Sequence, residues 1–126
     1  MNPGMGYRVV DTTEVEPTPD RPGRHRALSE PAGLSAMAIN RFEADPGDQL
    51  PLAYHYHDDQ QEAFYVLSGT LSVETPEGTY EFGEDELFVA DPESPQLAYN
   101  PETAAETVEV LAIGAPAVDD VHSYES

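Results

Sequence analysis

Residues Gly47 to Gly69 read G-D-Q-L-P-L-A-Y-H-Y-H-D-D-Q-Q-E-A-F-Y-V-L-S-G. Leu50 to His57 is a strand candidate, Asp58 to Gln61 a polar turn, and Ala63 to Ser68 a second strand hinged at Gly69. Side chains alternate faces along a strand, so His55 and His57 point the same way and both reach one metal ion. Tyr54, Tyr56 and Leu52 then face the opposite side, suited to packing between sheets or subunits. Glu62 follows the polar turn, where an antiparallel return brings its carboxylate beside the two imidazoles; Phe64 and Val66 share its face. Two neutral imidazoles and one carboxylate form a facial ligand set for a divalent transition metal ion, Fe(II), Mn(II), Ni(II) or Zn(II), with positions left open for water or substrate. Singly, each has an ordinary reading, a satisfied polar histidine or a strand-end charge. A histidine pair on one strand face followed closely by Glu, in a chain with 4 histidines, points instead to a metal or ligand site.

Outward from this stretch, short apolar runs alternate with turn signals. Leu34 to Phe42 precedes it as a strand, joined by the turn Asp45-Pro46-Gly47-Asp48. Thr70 to Val73, Thr79 to Phe82, Leu87 to Val89, Gln96 to Tyr99 and Val108 to Ile113 follow as strands, with Thr75-Pro76-Glu77-Gly78 as a tight hairpin. No segment has a helical period. Many short strands punctuated by Gly and Pro indicate an all-β sandwich or barrel. The expected organisation is an N-terminal strand (Tyr7 to Val10) and extended arm over residues 1–33, a barrel over 34–115, and a polar, acidic tail over 116–126 that lies on the surface or frays.

Gly47 to Gly69 resembles the first cupin motif: Gly, two His one apart, Glu, and a Gly closing the next hairpin. Gly83 to Asn100 resembles the second, with Gly83, the Pro-containing turn Asp91 to Pro95, and Asn100 in order. The resemblance covers residues 47 to 100 and implies a double-stranded β-helix (jelly-roll) barrel holding a metal. Cupins commonly place a third histidine just after the proline of the second motif, where this chain has Gln96. Alternation puts Gln96, Ala98 and Asn100 on one face, so the amide oxygen is available as a fourth ligand, as in the glutamine-ligated phosphomannose isomerases and ureidoglycine aminohydrolases. An amide is a weaker ligand than imidazole for late transition metals, so such a site is more labile than a three-histidine one. In the alternative, Gln96 hydrogen-bonds a ligand or neighbour and no metal is retained.

The chain of 126 residues carries 25 acidic and 5 basic residues, all 5 arginine, for a formal net charge of -20. Such a surface repels itself in dilute salt and is screened at molar ionic strength, where the Debye length falls to roughly 3 Å. The balance resembles that of proteins from extremely halophilic archaea, and a partner of opposite charge would be served by the same surface. Nucleic acid is excluded as a partner, because phosphate binding needs clustered Lys and Arg. With no cysteine, disulfides, thiolate zinc sites and thiol nucleophiles are excluded too. No apolar stretch approaches the ~20 residues of a membrane span, and no signal-peptide pattern opens the chain, so the expected location is the cytoplasm.

Arg21, Arg24, His25 and Arg26 form the one basic cluster, either an anion-recognition arm at the barrel mouth or a solvated loop paired with local carboxylates. Arg41 and Asn40 lie on opposite strand faces, and His122 reads as a surface residue. Two functions remain open. One is a mononuclear metal-dependent enzyme acting on a small polar molecule, with Glu62 as ligand or, when displaced, as catalytic base. The other is a non-catalytic barrel that binds or senses a small ligand. The apolar face of Tyr54 and Tyr56, with Tyr7 to Val10, predicts a homodimer.

Overall fold

The computed structural model describes residues 6–125. A 3₁₀ turn, Thr12–Glu14, precedes strand β1 (Arg24–Ala27), a single helical turn α1 (Ser29–Ala32), and strands β2 (Ala38–Ala44), β3 (His55–His57), β4 (Gln61–Ser68) and β5 (Thr70–Thr75). Strands β6 (Gly78–Gly83), β7 (Leu87–Ala90), β8 (Leu97–Tyr99), β9 (Val108–Ala115) and β10 (Val121–Ser123) complete the series. One sheet has the order β1-β2-β9-β4-β7. The facing layer joins β6-β5-β8 to β3-β10 through the bridge between His55 and Gln96, giving two sheets of five strands. All named strand pairs are antiparallel. The all-β expectation therefore holds, and no helix among the described residues is long and apolar enough to cross a membrane.

Alternation along the strands builds the core. Phe42, Phe64, Val66, Leu71, Val73, Ala98, Val108 and Val110 are buried between the layers. Phe88 from β7 stacks on Phe82 at a centroid distance of 5.3 Å and lies 6.2 Å from Phe64. The sharp passage from β4 to β5 needs Gly69: its φ is +83°, and a Cβ there would sit 2.7 Å from the Thr107 carbonyl oxygen.

The N-terminal region departs from expectation, and the tail takes the first of its two expected courses, lying on the surface. Tyr7 to Val10 forms no strand; Arg8 instead donates to the carbonyls of Ala32 and Gly33. The expected structureless arm contains β1, whose pairing with β2 is a non-local choice that its mixed composition does not advertise. Leu50 to His57 is also broken: Gln49 and Leu50 pair with the β8 strand, residues 51–54 loop out, and pairing resumes at His55. Pro51 cannot donate to the ladder, which accounts for the break. The tail does not fray, because β10 pairs with β3, Val121 opposite His57 and Ser123 opposite His55. Tyr124 packs on Tyr54 and His122 stacks on Tyr56, at centroid distances of 5.0 and 5.2 Å. On the face of β3 that was expected to meet another sheet or subunit, Tyr54 and Tyr56 thus find side chains of the chain's own end and are half-buried.

Candidate metal centre

His55 and His57 project from β3 into the space between the sheets, and Glu62 approaches from β4 in the opposite sheet. Strands β3 and β4 are not hydrogen-bonded to each other, so the carboxylate arrives across the barrel and not by a hairpin return. Glu62 Oε1 lies 3.9 Å from His55 Nε2 and 3.8 Å from His57 Nε2. One ligand atom from each of the three residues falls within 4.8 Å of the others. Side chains so placed would converge on one cation after closing in by a few tenths of an ångström, to the roughly 2.0–2.2 Å that such ligands take.

The other ring nitrogens are already engaged. His55 Nδ1 faces the Ala53 carbonyl at 2.9 Å, and His57 Nδ1 faces Asp120 Oδ1 at 2.8 Å. Both partners are acceptors, so each Nδ1 carries the proton and each Nε2 lone pair is left aimed at Glu62. Two lone pairs and a carboxylate oxygen converging in a half-dry space suit a cation, and the donor set of nitrogen and oxygen fits a divalent transition metal. Burial pushes the His55 pKa down, but the Glu62 carboxylate and the Ala53 carbonyl outweigh it and the net direction is up.

Gln96, 2% exposed, comes from the residue preceding β8 and meets the same point. Its Nε2 donates to Glu62 Oε1 at 2.6 Å, and its Oε1 is buried without a partner. The side chain is where the sequence put it, with the amide nitrogen, not the oxygen, turned to the site.

Asp120 is the residue that sequence reasoning missed. It sits just before β10 and is 9% exposed at its side chain. Beyond His57, it accepts from the backbone N–H of Asp59 at 2.7 Å and of Gln60 at 2.9 Å, closing the turn between β3 and β4. Burial works to raise its pKa, but the two backbone donors and His57 win and hold it at about 2 against an ordinary 3.8. A depressed carboxylate stabilises the fold fully above the unfolded value and loses that contribution as pH falls through the folded one. We therefore expect Asp120→Asn to be less stable than the parent at neutral pH in urea melts, with the gap closing between about pH 4 and pH 2. Ni(II) affinity measured by calorimetry should fall by roughly 10- to 100-fold, the usual effect of removing a histidine's outer partner. A parent and variant indistinguishable in both assays would leave Asp120 no role in orienting His57. The only sequence signal for Asp120 was an acid pair beside His122 in the tail, and chain distance concealed it.

Neighbouring residues sort differently from the sequence grouping. Gln60, expected in a solvated turn, is buried, and its amide lies across Gly114, where a Cβ would come within 2.5 Å of it. Arg24 and Arg26 pair with the Glu43 carboxylate, as one of the two expectations had it, but from strand β1 across to β2 and not from a solvated loop. His25 points inward, stacks on Phe42, and bonds Thr18 Oγ1 at 3.0 Å and Asn40 Oδ1 at 2.7 Å. Asn40 thus faces the interior, while Arg41 reaches Glu109. Arg21 donates to the Leu50 carbonyl at 3.2 Å. His122 is exposed and pairs with Asp58 at 2.6 Å.

Three likenesses to known proteins accompany this geometry. The polyketide synthase CurC of Streptomyces cyaneus is 34% identical over 88 residues, which is 65% of this chain and 53% of that protein, so the match spans about half the length of the curated relative. The polyketide cyclase RemF of Streptomyces resistomycificus superposes with a TM-score of 0.76 at 23% identity, over 95% of this chain and 87% of that one. A conserved double-stranded β-helix protein of Klebsiella pneumoniae superposes with a TM-score of 0.74 at 20% identity, over 95% and 99% of the two chains. The likeness to these two structures is one of fold. The model of the cupin domain matches residues 40–114, which contain both expected motifs and the facing His and Glu side chains, and the chain belongs to that family.

Proposed function

We propose that the protein is a mononuclear metal-dependent cupin enzyme acting on a small oxygen-bearing molecule, with His55, His57 and Glu62 as ligands and Gln96 as the fourth. One observation carries this reading: both histidines have Nδ1 tied to an acceptor, so both Nε2 lone pairs are committed to the point Glu62 also faces. Turning the Gln96 amide over exchanges nitrogen for oxygen at the position 2.6 Å from Glu62, a spacing that suits adjacent ligands on one ion. A bound metal supplies Lewis-acid polarisation of a substrate oxygen. The chain's own part is to hold the imidazoles in one tautomer, keep the site half dry, and offer the second Glu62 oxygen as a base for a substrate proton. Named relatives in polyketide chemistry support an enzyme.

The non-catalytic ligand-binding barrel is favoured by the amide nitrogen already satisfying Glu62. Metal content after purification in matched high salt, with anomalous scattering between His55 and His57, separates the two: metal-free protein that still binds its ligand without turnover would establish the second.

The surface charge supports a halophilic, salt-filled cytoplasm as the working environment. The homodimer remains our reading on other ground than Tyr54 and Tyr56. Tyr7 and Val9 are exposed in the N-terminal arm, and Leu67, Leu87 and Val89 are exposed on the outer face of β4 and β7. Light scattering in molar KCl should give twice the 13.7 kDa chain mass, and a clean monomer would dismiss it.

A further inference from the structure

Beside the metal centre, at the open edge where β6 and β7 are not joined, lies a cleft of about 500 Å³. That is within the range of small-molecule sites. Its apolar lining comes from Tyr80, Leu87, Phe88, Val89 and two prolines. Tyr80 lies on the inward face of β6, opposite Val73, yet remains half exposed because nothing covers it. Its ring meets Phe88 edge-on at 5.5 Å, and Pro76 and Pro95 also line the cleft. The cleft runs to Ala90, which pairs with Glu62 in the sheet, and to Gln96. Gln96 carries the feature that a merely structural groove does not explain: a buried amide with one end on Glu62 and the other end unpartnered. An unpaired buried polar atom costs on the order of 1–3 kcal/mol unless something arrives to meet it.

The rim bears charge of one sign. Glu77, Asp91 and Glu93 line the entrance, all exposed, on a chain of net charge -20, and no basic residue is among the lining residues. Within a cleft the field of several like charges is focused, so an anionic guest is repelled while a neutral one is unaffected.

We propose that this cleft binds a flat, uncharged, ring-bearing molecule, lying on the half-exposed ring of Tyr80, which Phe88 supports edge-on, with a ring-borne oxygen delivered to the free end of the Gln96 amide beside the metal, and that it refuses carboxylates. The inference deepens the enzyme reading above and rests on it for the side of the amide that faces the cleft: with the oxygen turned to the metal, Nε2–H is left to donate to a carbonyl. Stacking on aromatic faces supplies affinity without regard to ring identity, and the single amide contact supplies orientation.

The test uses the full chain loaded with Ni(II) and two probes of the same ring system, 1-acetonaphthone and 1-naphthoate, titrated by calorimetry in low salt and in molar KCl. The ketone should bind about tenfold tighter than the carboxylate in low salt, with the gap narrowing as salt screens the rim. Glu77→Gln with Asp91→Asn and Glu93→Gln should raise naphthoate affinity toward that of the ketone. Tyr80→Ala should weaken the ketone roughly five- to tenfold, while Ni(II) affinity, the control for folding, stays put. Equal or tighter naphthoate binding in low salt, or a ketone affinity indifferent to Tyr80, overturns the proposal. If Ni(II) binds to no form and the ketone still binds selectively through Tyr80, the aromatic cleft stands, and the metal reading falls together with the Gln96 contact that rests on it.

Discussion

His55→Ala is expected to abolish binding of Ni(II) or Zn(II), and Gln96→His to strengthen it. The first change removes one of two imidazoles whose Nε2 atoms lie within 4 Å of Glu62 Oε1, leaving His57 and a carboxylate that cannot encircle an ion. The second replaces an amide by the ligand that late transition metals prefer, at a side chain already 2.6 Å from Glu62 and sealed from solvent. We expect a gain of roughly tenfold, which is about 1.4 kcal/mol. The two are coupled by geometry, since Gln96 and His55 are bridged residues of neighbouring strands whose side chains enter the same space. Calorimetric titration of each variant beside the parent, at matched high salt and pH, gives the comparison. Unchanged affinity in Gln96→His would make Gln96 a cleft residue alone, and absence of metal binding throughout would return the protein to the ligand-binding reading.

The second large effect is on stability in salt. Arginine ion pairs among the described residues engage Glu43, Asp45 and Glu109, and leave most of the 25 acidic side chains without a cationic partner. Some crowd together: Glu84, Asp85 and Glu86 are all exposed in the turn before β7. Asp85 there accepts the Tyr65 hydroxyl at 2.6 Å, a bond that pushes the phenol pKa up. Moving from dilute buffer to molar KCl shortens the Debye length from tens of ångströms to about 3 Å and removes this repulsion from the folded state, where the charges are closest. Melting temperature should climb by on the order of 10 °C, since a few kcal/mol moves a domain of this size by that much. A flat or falling curve would withdraw the halophilic reading. Attractive surface pairs weaken with salt, so the sign of the slope reports which kind of electrostatics dominates.

Most of the barrel was legible in the chain because its cues are local. The two-residue period along β4, β5 and β9, the turn at Asp45 to Asp48 and the Pro76-Glu77 hairpin each act over a few residues. They read correctly without knowledge of partners. The same period put His55 with His57, and Glu62 with Phe64 and Val66, on the faces they occupy. Strand β1 was not legible, since Arg24-His25-Arg26-Ala27 has no apolar alternation and is held by its pairing with β2 and by Glu43. Nor was β10, three exposed residues held by the edge of β3 and by the His122–Asp58 pair.

The division runs along the same line within the metal centre. Sequence alone determined which side chains share a face, because face is a property of parity along one strand. It also determined the chemistry the centre can have, through two imidazoles, a carboxylate, an amide and no thiol. What those faces look at was decided by the tertiary structure. Glu62 reaches the histidines from the opposite sheet, Gln96 turns its nitrogen to Glu62, and Asp120 returns 63 residues after His57 to fix its tautomer. The last two join segments 34 and 63 residues apart, set by closure of the barrel as a whole, and no window of neighbouring residues contains both partners of either.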